Sequence, residues 1–132
     1  MSTKANATFK TQSWDETPYR EIEGEPKMTR VTMTKTFEGD IEGEGSVEYL
    51  MMYRADGTAS FVGLEVVVGR IGDRSGSFVL QHLGDYEGGK AKASWRVVPG
   101  SATGELAGLK GVGGFASPHA ESYPMTLEYD FE

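Results

Sequence analysis

The stretch SATGELAGLKGVGGF, from Ser101 to Phe115, contains five glycines in fifteen residues. A glycine-rich loop can cradle a phosphate, but that use requires a following helix whose N-terminus faces the phosphate. No helical spacing follows here, and Lys110 is misplaced for a phosphate-binding loop. Glycine is also favoured where a strand bends or passes close to its neighbours. We therefore interpret the stretch as a turn across one end of a β-barrel, followed by a short, bent strand.

Apolar and polar residues alternate with a period of two along nearly the whole chain, which is the pattern of half-buried β-strands. The alternation predicts eight strands, over residues 3–14, 27–37, 46–54, 59–70, 76–83, 91–98, 109–115 and 123–131. Short connections favour antiparallel neighbours, and closure removes exposed strand edges. The predicted fold is all-β, an eight-stranded antiparallel closed β-barrel, with a two-sheet sandwich as the alternative.

The composition excludes several classes of function. The 132 residues are enough for a single β-barrel domain over residues 1–132. There is no cysteine and there are only two histidines, so we expect no disulfide and no metal site. A net charge of −7 without a basic run argues against nucleic acid. The longest apolar run, about five residues, is too short to span a membrane. The first ten residues lack a signal peptide's apolar core, so we expect a cytoplasmic protein.

Two segments imitate ligand-binding loops without the residues those loops need. Residues 84–91 match GxxxxGK, but Ala91 stands where a hydroxyl should bind magnesium, and no helix follows. Residues 40–45 alternate acids with other residues, as a calcium loop does, but Met51 replaces the bidentate glutamate. We interpret the first as a hairpin loop and the second as a solvated acidic turn. No cofactor is expected.

The fourth predicted strand is apolar on both faces. One face carries Val62, Leu64, Val66 and Val68, and the other carries Phe61, Gly63, Glu65 and Val67. A strand of this kind is typical of burial on both sides. We therefore expect a homo-oligomer, a dimer or a trimer, with a sheet-to-sheet contact through this strand.

Three polar residues on the fourth and fifth strands are candidate catalytic groups. Glu65 has no charged neighbour nearby in sequence, so it is either exposed or buried with partners, for which Arg30 and Arg70 are candidates. Gln81 and His82 are adjacent and must face opposite ways, and the pattern leaves open which of them points inward. Together, Glu65 with Gln81 or His82 could supply an acid, a base or an orienting group.

Five further residues are candidate ligand contacts. Tyrosine, methionine and tryptophan surfaces suit a pocket for a small apolar metabolite, and they suit a core or a subunit interface equally well. The candidates are Arg30, Glu48, Tyr49, Tyr53 and Trp95.

Several segments resemble known families. VPGSATGELAGLKG (98–111) resembles the glycine segment of allene oxide cyclase and dirigent barrels, with Ala102 where glycine is usual. The whole chain is identified as a member of an uncharacterised bacterial family with that barrel fold. The segments that carry this resemblance are WDETPY (14–19), FEGDIEGEGSVEYLMMY (37–53), FVGLE (61–65), GSFVLQHLG (76–84) and WRVVPGSATGELAGLKG (95–111).

The resemblance implies an eight-stranded antiparallel barrel, a fold that is often oligomeric. In its characterised relatives an apolar cavity holds a reactive lipophilic substrate and steers its reaction. Fold does not fix function, so three hypotheses stay open. The barrel binds a small apolar metabolite, or it is a cofactor-free cyclase or isomerase that uses Glu65 with Gln81 or His82, or it is a structural or interaction protein with a solid interior. A cavity large enough for a ligand would separate the first two from the third.

Overall fold

Eight strands close into one antiparallel barrel in the computed structural model, which describes residues 2–132. Each strand pairs with its neighbours in sequence, and β1 pairs with β8 to close the barrel. The predicted closed barrel is confirmed, and the sandwich is wrong. The strands are β1 (Thr3–Arg20), β2 (Lys27–Gly39), β3 (Ile41–Tyr53), β4 (Ala59–Ile71), β5 (Arg74–Glu87), β6 (Lys90–Val97), β7 (Leu109–Pro118) and β8 (Tyr123–Phe131).

The connection between β2 and β3 is much tighter than the sequence predicted. Asp40 alone separates the two strands, and the backbone N–H of Asn6 donates a hydrogen bond to its carboxylate at 2.8 Å. The Asp40 N–H in turn bonds the Asn6 carbonyl at 3.0 Å. Because these two bonds hold the turn against β1, residues 41–45 extend β3. The prediction of a solvated acidic turn there is wrong.

One side of every strand faces a common interior. The buried side chains come from all eight strands and from the segment between β6 and β7, and most are apolar. The largest contributions to the core come from Phe9, Val31, Met33, Phe37, Tyr49, Met51, Phe61, Phe78, Leu80, Trp95, Leu106, Met125 and Leu127. The core therefore lies inside the barrel, where inward positions alternate with outward ones.

The glycine-rich stretch closes one end of the barrel. The hydroxyls of Ser101 and Thr103 accept hydrogen bonds from the β5 backbone N–H groups of Val79 and Ser77, each at 3.1 Å. A single 3-10 turn, Gly104–Leu106, follows and buries Leu106 completely. The segment thus takes the place of a neighbouring strand along the first half of β5, and Leu106 plugs the end of the barrel where β5 begins. The interpretation of the stretch as a turn across one end of the barrel is confirmed.

The opposite end of the barrel stays open because β1 extends beyond the last residue that pairs with β8. β8 pairs only with Thr3–Phe9, whereas β1 continues beside β2 as far as Arg20. From Lys10 onward β1 therefore has a neighbouring strand on one side only. This separation opens the wall beside the β7–β8 connection.

No helix among residues 2–132 is long and apolar enough to cross a bilayer.

Candidate functional site

Four side chains form a polar chain inside the otherwise apolar barrel. The Lys35 ammonium lies 3.3 Å from Glu65 Oε1, and His82 Nε2 lies 2.8 Å from the same oxygen. The Tyr49 hydroxyl lies 3.3 Å from His82 Nδ1. Lys35, Glu65 and His82 are each at most 1% exposed. We call Lys35, Glu65, His82 and Tyr49 the buried polar chain.

Strand alternation brings these residues inside, and a missing side chain makes room for them. Lys35 occupies an inward position of β2 between Met33 and Phe37, and all three are buried. Gly45 lies beside Lys35 in the β2–β3 register, and a Cβ atom there would collide with the Glu65 carboxylate. The glycine therefore leaves the space that the carboxylate fills.

Aromatic rings surround the ammonium group. Lys35 Nζ lies 4.0 Å from the centroid of the Phe9 ring, 5.4 Å from that of Phe37 and 5.7 Å from that of Trp95. Ring faces attract a cation at such distances. They supplement the single carboxylate that balances the lysine charge.

The environment sets the charges along the chain. Burial alone would raise the pKa of Glu65, but the charge of Lys35 and the hydrogen bond from His82 outweigh it and hold that pKa below its usual value. Burial lowers the pKa of His82, and Glu65 only partly opposes that effect. Burial also lowers the pKa of Lys35, against the attraction of the carboxylate. The pKa of the Tyr49 phenol is raised, first by burial and then by the Glu65 charge. At neutral pH the chain holds an ionised Glu65, a neutral His82 and a neutral Tyr49.

These charges fix the direction of the hydrogen bonds. An ionised Glu65 can only accept, so His82 carries its proton on Nε2 and donates it to Glu65. His82 Nδ1 is then an acceptor for the Tyr49 hydroxyl. The arrangement is a carboxylate–imidazole–phenol relay in which a proton can pass from Tyr49 to His82 while Glu65 stabilises the imidazolium.

A cavity of about 830 Å³ occupies the open end of the barrel. Tyr49 is the one member of the buried polar chain that lines it. Eight aromatic side chains and two methionines form most of its wall: Phe9, Trp14, Tyr49, Tyr53, Phe61, Tyr86, Phe115, Tyr123, Met33 and Met51. The interior is therefore packed at one end, and a cavity opens at the other end. We call this space the mouth cavity.

A second polar group stands at the rim of the mouth cavity. The Tyr53 hydroxyl donates a 2.6 Å hydrogen bond to Glu16 Oε2, and Thr29 donates another at 2.7 Å. Burial works against ionisation of Glu16, but these donors prevail and lower its pKa. Burial and the adjacent carboxylate raise the pKa of Tyr53 to about 12. The rim thus carries a carboxylate whose Oε2 already accepts two hydrogen bonds.

The structure brings together some of the residues selected from the sequence and separates others. Glu65, His82, Tyr49 and Trp95 meet inside the barrel, and Tyr53 lines the mouth cavity. The other three selected residues lie on the outer wall. Arg30 pairs there with Glu48 at 2.8 Å, and Arg96 donates a hydrogen bond to Gln81 at 2.9 Å.

The partner expected for Glu65 was wrong. Neither arginine reaches it, because Arg30 faces outward and Arg70 pairs with Glu42. Lys35 is the partner instead. Its position two residues from both Met33 and Phe37 was a usable signal, since it places a lysine on an apolar face. Glu16 left no comparable signal, because it lies beyond the end predicted for the first strand.

Residues 2–132 contain no group of three or more acidic or histidine side chains placed to hold a metal ion.

Comparisons with known proteins give a family and a fold. A search of curated proteins found no match. Residues 5–129 match the profile of DUF3224, described as a protein of unknown function. A crystal structure of a DUF3224 protein of unknown function from Shewanella oneidensis MR-1 is 33% identical, with a TM-score of 0.82. That similarity covers 100% of this chain and 99% of the other. The profile covers nearly the whole chain, and the chain therefore belongs to the DUF3224 family.

Proposed function

We propose that the protein binds a small, flat, largely apolar molecule in the mouth cavity. One observation carries the proposal: an open space of about 830 Å³ whose wall is mostly aromatic rings and methionines. Ligand cavities commonly measure about 300–1,000 Å³ and combine apolar walls with a few polar groups. The aromatic wall favours a conjugated or ring-containing ligand that stacks against it, and the methionines can adjust to its outline.

A cavity-filling variant tests this proposal. Ala91 is half-buried and lines the mouth cavity, whereas its neighbour Lys92 is exposed on the outer wall. We expect Ala91→Trp to weaken binding of the neutral dye Nile red about tenfold or more, because the indole takes the dye's place. Fluorescence titration at fixed protein concentration measures the dissociation constant.

Lys92→Trp is the matched control and should bind the dye as the unchanged protein does, since its indole lies outside. The unchanged protein failing to bind the dye, or equal affinity in both tryptophan variants, would contradict the proposal. Leu64→Glu removes an exposed apolar side chain from the outer wall. Its affinity for the dye should not change if the dye sits inside the barrel.

We infer that catalysis of a proton transfer is the second candidate function, because the relay ends at a residue of the cavity wall. In such a reaction the Tyr49 oxygen takes a proton from an acidic C–H bond of the ligand while its own phenolic proton passes to His82 Nδ1. The electron pair of the C–H bond stays on the ligand as an enolate, and Glu65 stabilises the imidazolium. Return of the proton to a different carbon completes an isomerisation.

The resemblance of residues 98–111 to cyclase barrels also favours a catalytic role, although none of their catalytic residues is carried over to this chain. A buried polar cluster also contributes less to stability than apolar side chains of equal size, which favours a functional reason for keeping it. Glu65 Oε2 and Trp95 Nε1 strengthen that argument, because both are buried without a hydrogen-bond partner among the described residues.

Deuterium exchange tests the second candidate. The probe is 2-tetralone, a flat aromatic ketone with acidic C–H bonds next to its carbonyl. We expect the protein to exchange these hydrogens in D₂O faster than buffer alone does. In Tyr49→Phe the protein-catalysed exchange rate should fall about tenfold or more. Proton NMR follows the signal loss. Lys92→Trp should retain the acceleration, and exchange at the buffer rate with the unchanged protein would remove this candidate.

We place this function in the bacterial cytoplasm. The absence of cysteine is compatible with a reducing compartment. The similar crystal structure comes from a bacterium.

A further inference from the structure

The outer wall carries a continuous apolar area centred on β4. Its side chains are 45–64% exposed although all are large and apolar. They are adjacent across strands, since Val62 is paired with Leu50 on one side and with Leu83 on the other. We call this set the outer patch: Leu50, Val62, Leu64, Val66, Val68 and Leu83.

The outward face of β4 carries no charge before Arg70, near the end of the strand. From Ser60 to Val68 its outward positions are one serine, three valines and one leucine. A typical monomer exposes single apolar residues, and its largest continuous patch is about 300–600 Å². Six large apolar side chains, each about half exposed, lie together on three adjacent strands, so the apolar area here is comparable to the largest patch of a typical monomer. This face therefore has the character of a contact surface.

A polar rim lies on both sides of the outer patch, with opposite charges in one row. Along the strand register Glu48 is beside Leu64, Leu64 is beside Gln81, and Gln81 is beside Arg96. Glu48 is therefore one strand away from β4 on one side, and Arg96 is one strand away from β5 on the other. Glu48 also pairs with Arg30, and Arg96 with Gln81, so both rim groups are held in place.

We propose that a second copy of this chain covers the outer patch. A two-fold axis in the interface plane, parallel to β4 and β5 and between them, would place β4 of each protomer over β5 of its partner. The same operation would place β3 over β6. Glu48 of one protomer would then face Arg96 of the other, and the pair would occur twice.

The charge distribution supports association through this face. The chain carries a net charge of −7, but the outer patch is uncharged, and the charged residues beside it or in its rim row sum to zero: Arg30, Glu44, Glu48, Arg70, Asp85 and Arg96. Like-charge repulsion between two copies is therefore weak here. The apolar centre with a polar rim also matches the composition of protein interfaces that bury about 800 Å² per partner. The inference does not depend on the mouth cavity, which opens at the end of the barrel.

The mass of the protein in solution tests the proposal. It is measured by sedimentation velocity at protein concentrations from about 1 μM to about 100 μM. We expect a mass twice the 14.3 kDa of the chain. Leu64→Glu should shift the protein to the monomer, because two carboxylates would be buried against apolar side chains. Ile22→Glu is the matched control: Ile22 is 45% exposed in the connection between β1 and β2, outside the outer patch and its rim. This control should remain a dimer.

A charge-exchange experiment tests the geometry separately. Glu48→Arg and Arg96→Glu should each weaken the dimer about tenfold or more, because each places like charges opposite one another twice. An equimolar mixture of the two variants should restore association, since both contacts in the mixed dimer then join opposite charges. Circular dichroism melts check that every variant remains folded.

Three results would overturn the proposal. The first is a monomer at 100 μM, including a monomer that acquires mass only when lysate proteins or lipid vesicles are added. The second is a dimer that survives Leu64→Glu. The third is a mixture of the two charge variants that associates no better than either alone.

Discussion

Glu65→Leu is expected to lower the free energy of unfolding by about 3–5 kcal/mol, because it leaves the Lys35 ammonium buried without its counter-charge. Lys35 is 1% exposed, and Glu65 is the one carboxylate that the structure places against it. Three aromatic rings surround the ammonium, but ring faces compensate much less than a carboxylate does. Urea denaturation at neutral pH measures the change.

Two controls separate the lost ion pair from other effects. The double variant Lys35→Met with Glu65→Leu should recover part of the loss, because apolar side chains then replace both charges while His82 Nε2 still lacks its acceptor. Glu44→Leu changes an exposed glutamate on the outer wall of β3 and should alter stability by about 0.5 kcal/mol or less. A loss below about 1 kcal/mol for Glu65→Leu alone would show that the ammonium can reach solvent.

Gly111→Val should destabilise the barrel by about 3 kcal/mol or more, because backbone stands where the new side chain would go. A Cβ atom on Gly111 would lie 2.6 Å from the Glu128 carbonyl oxygen and 3.2 Å from Tyr129 Cα. Both neighbours belong to β8, whose pairing with β7 closes the wall of the barrel. Relief of the contact therefore requires the two strands to move apart. Urea denaturation measures the loss.

Ala116→Val is the matched control for Gly111→Val. It adds a similar branched side chain to the same strand, but at an exposed outward position. Its effect should stay within about 0.5 kcal/mol. Equal stability of Gly111→Val and the unchanged protein would show that the glycine-rich stretch is not required for strand packing.

The sequence predicted the barrel because its main signal is local. Inward and outward positions alternate within each strand, so the inward direction of Trp95 and the outward direction of Arg96 can be read from neighbouring residues. The predicted strand ends were less accurate where one contact with a residue distant in sequence determines the end. Asp40 makes a one-residue turn only because it bonds Asn6, which lies 34 positions earlier in the chain.

The buried polar chain could be predicted only in part. The apolar neighbours of Glu65 indicated an unusual carboxylate, but its partner lies on β2, which is not adjacent to β4 in the sheet. A contact between non-adjacent strands depends on barrel tilt and closure, which no local pattern encodes. The choice between Gln81 and His82 was ambiguous for a related reason. Leu83 lies on the same side of β5 as Gln81 and is 64% exposed. Because an apolar residue normally indicates the inward side, Leu83 made both sides of the strand look inward.

The plug that Leu106 forms at one end of the barrel has a practical consequence for attachment to surfaces. Leu109 at the start of β7 pairs with Phe131, and Thr3 pairs with Tyr129. β1 therefore begins at the plugged end, and β8 ends there. The backbone N–H of Glu132 is fastened there to the Gly108 carbonyl at 3.0 Å. A tag or tether joined near residue 3 or residue 132 would therefore leave the mouth cavity directed away from the support. Immobilised protein should then remain accessible to small molecules in a flow cell or on affinity resin.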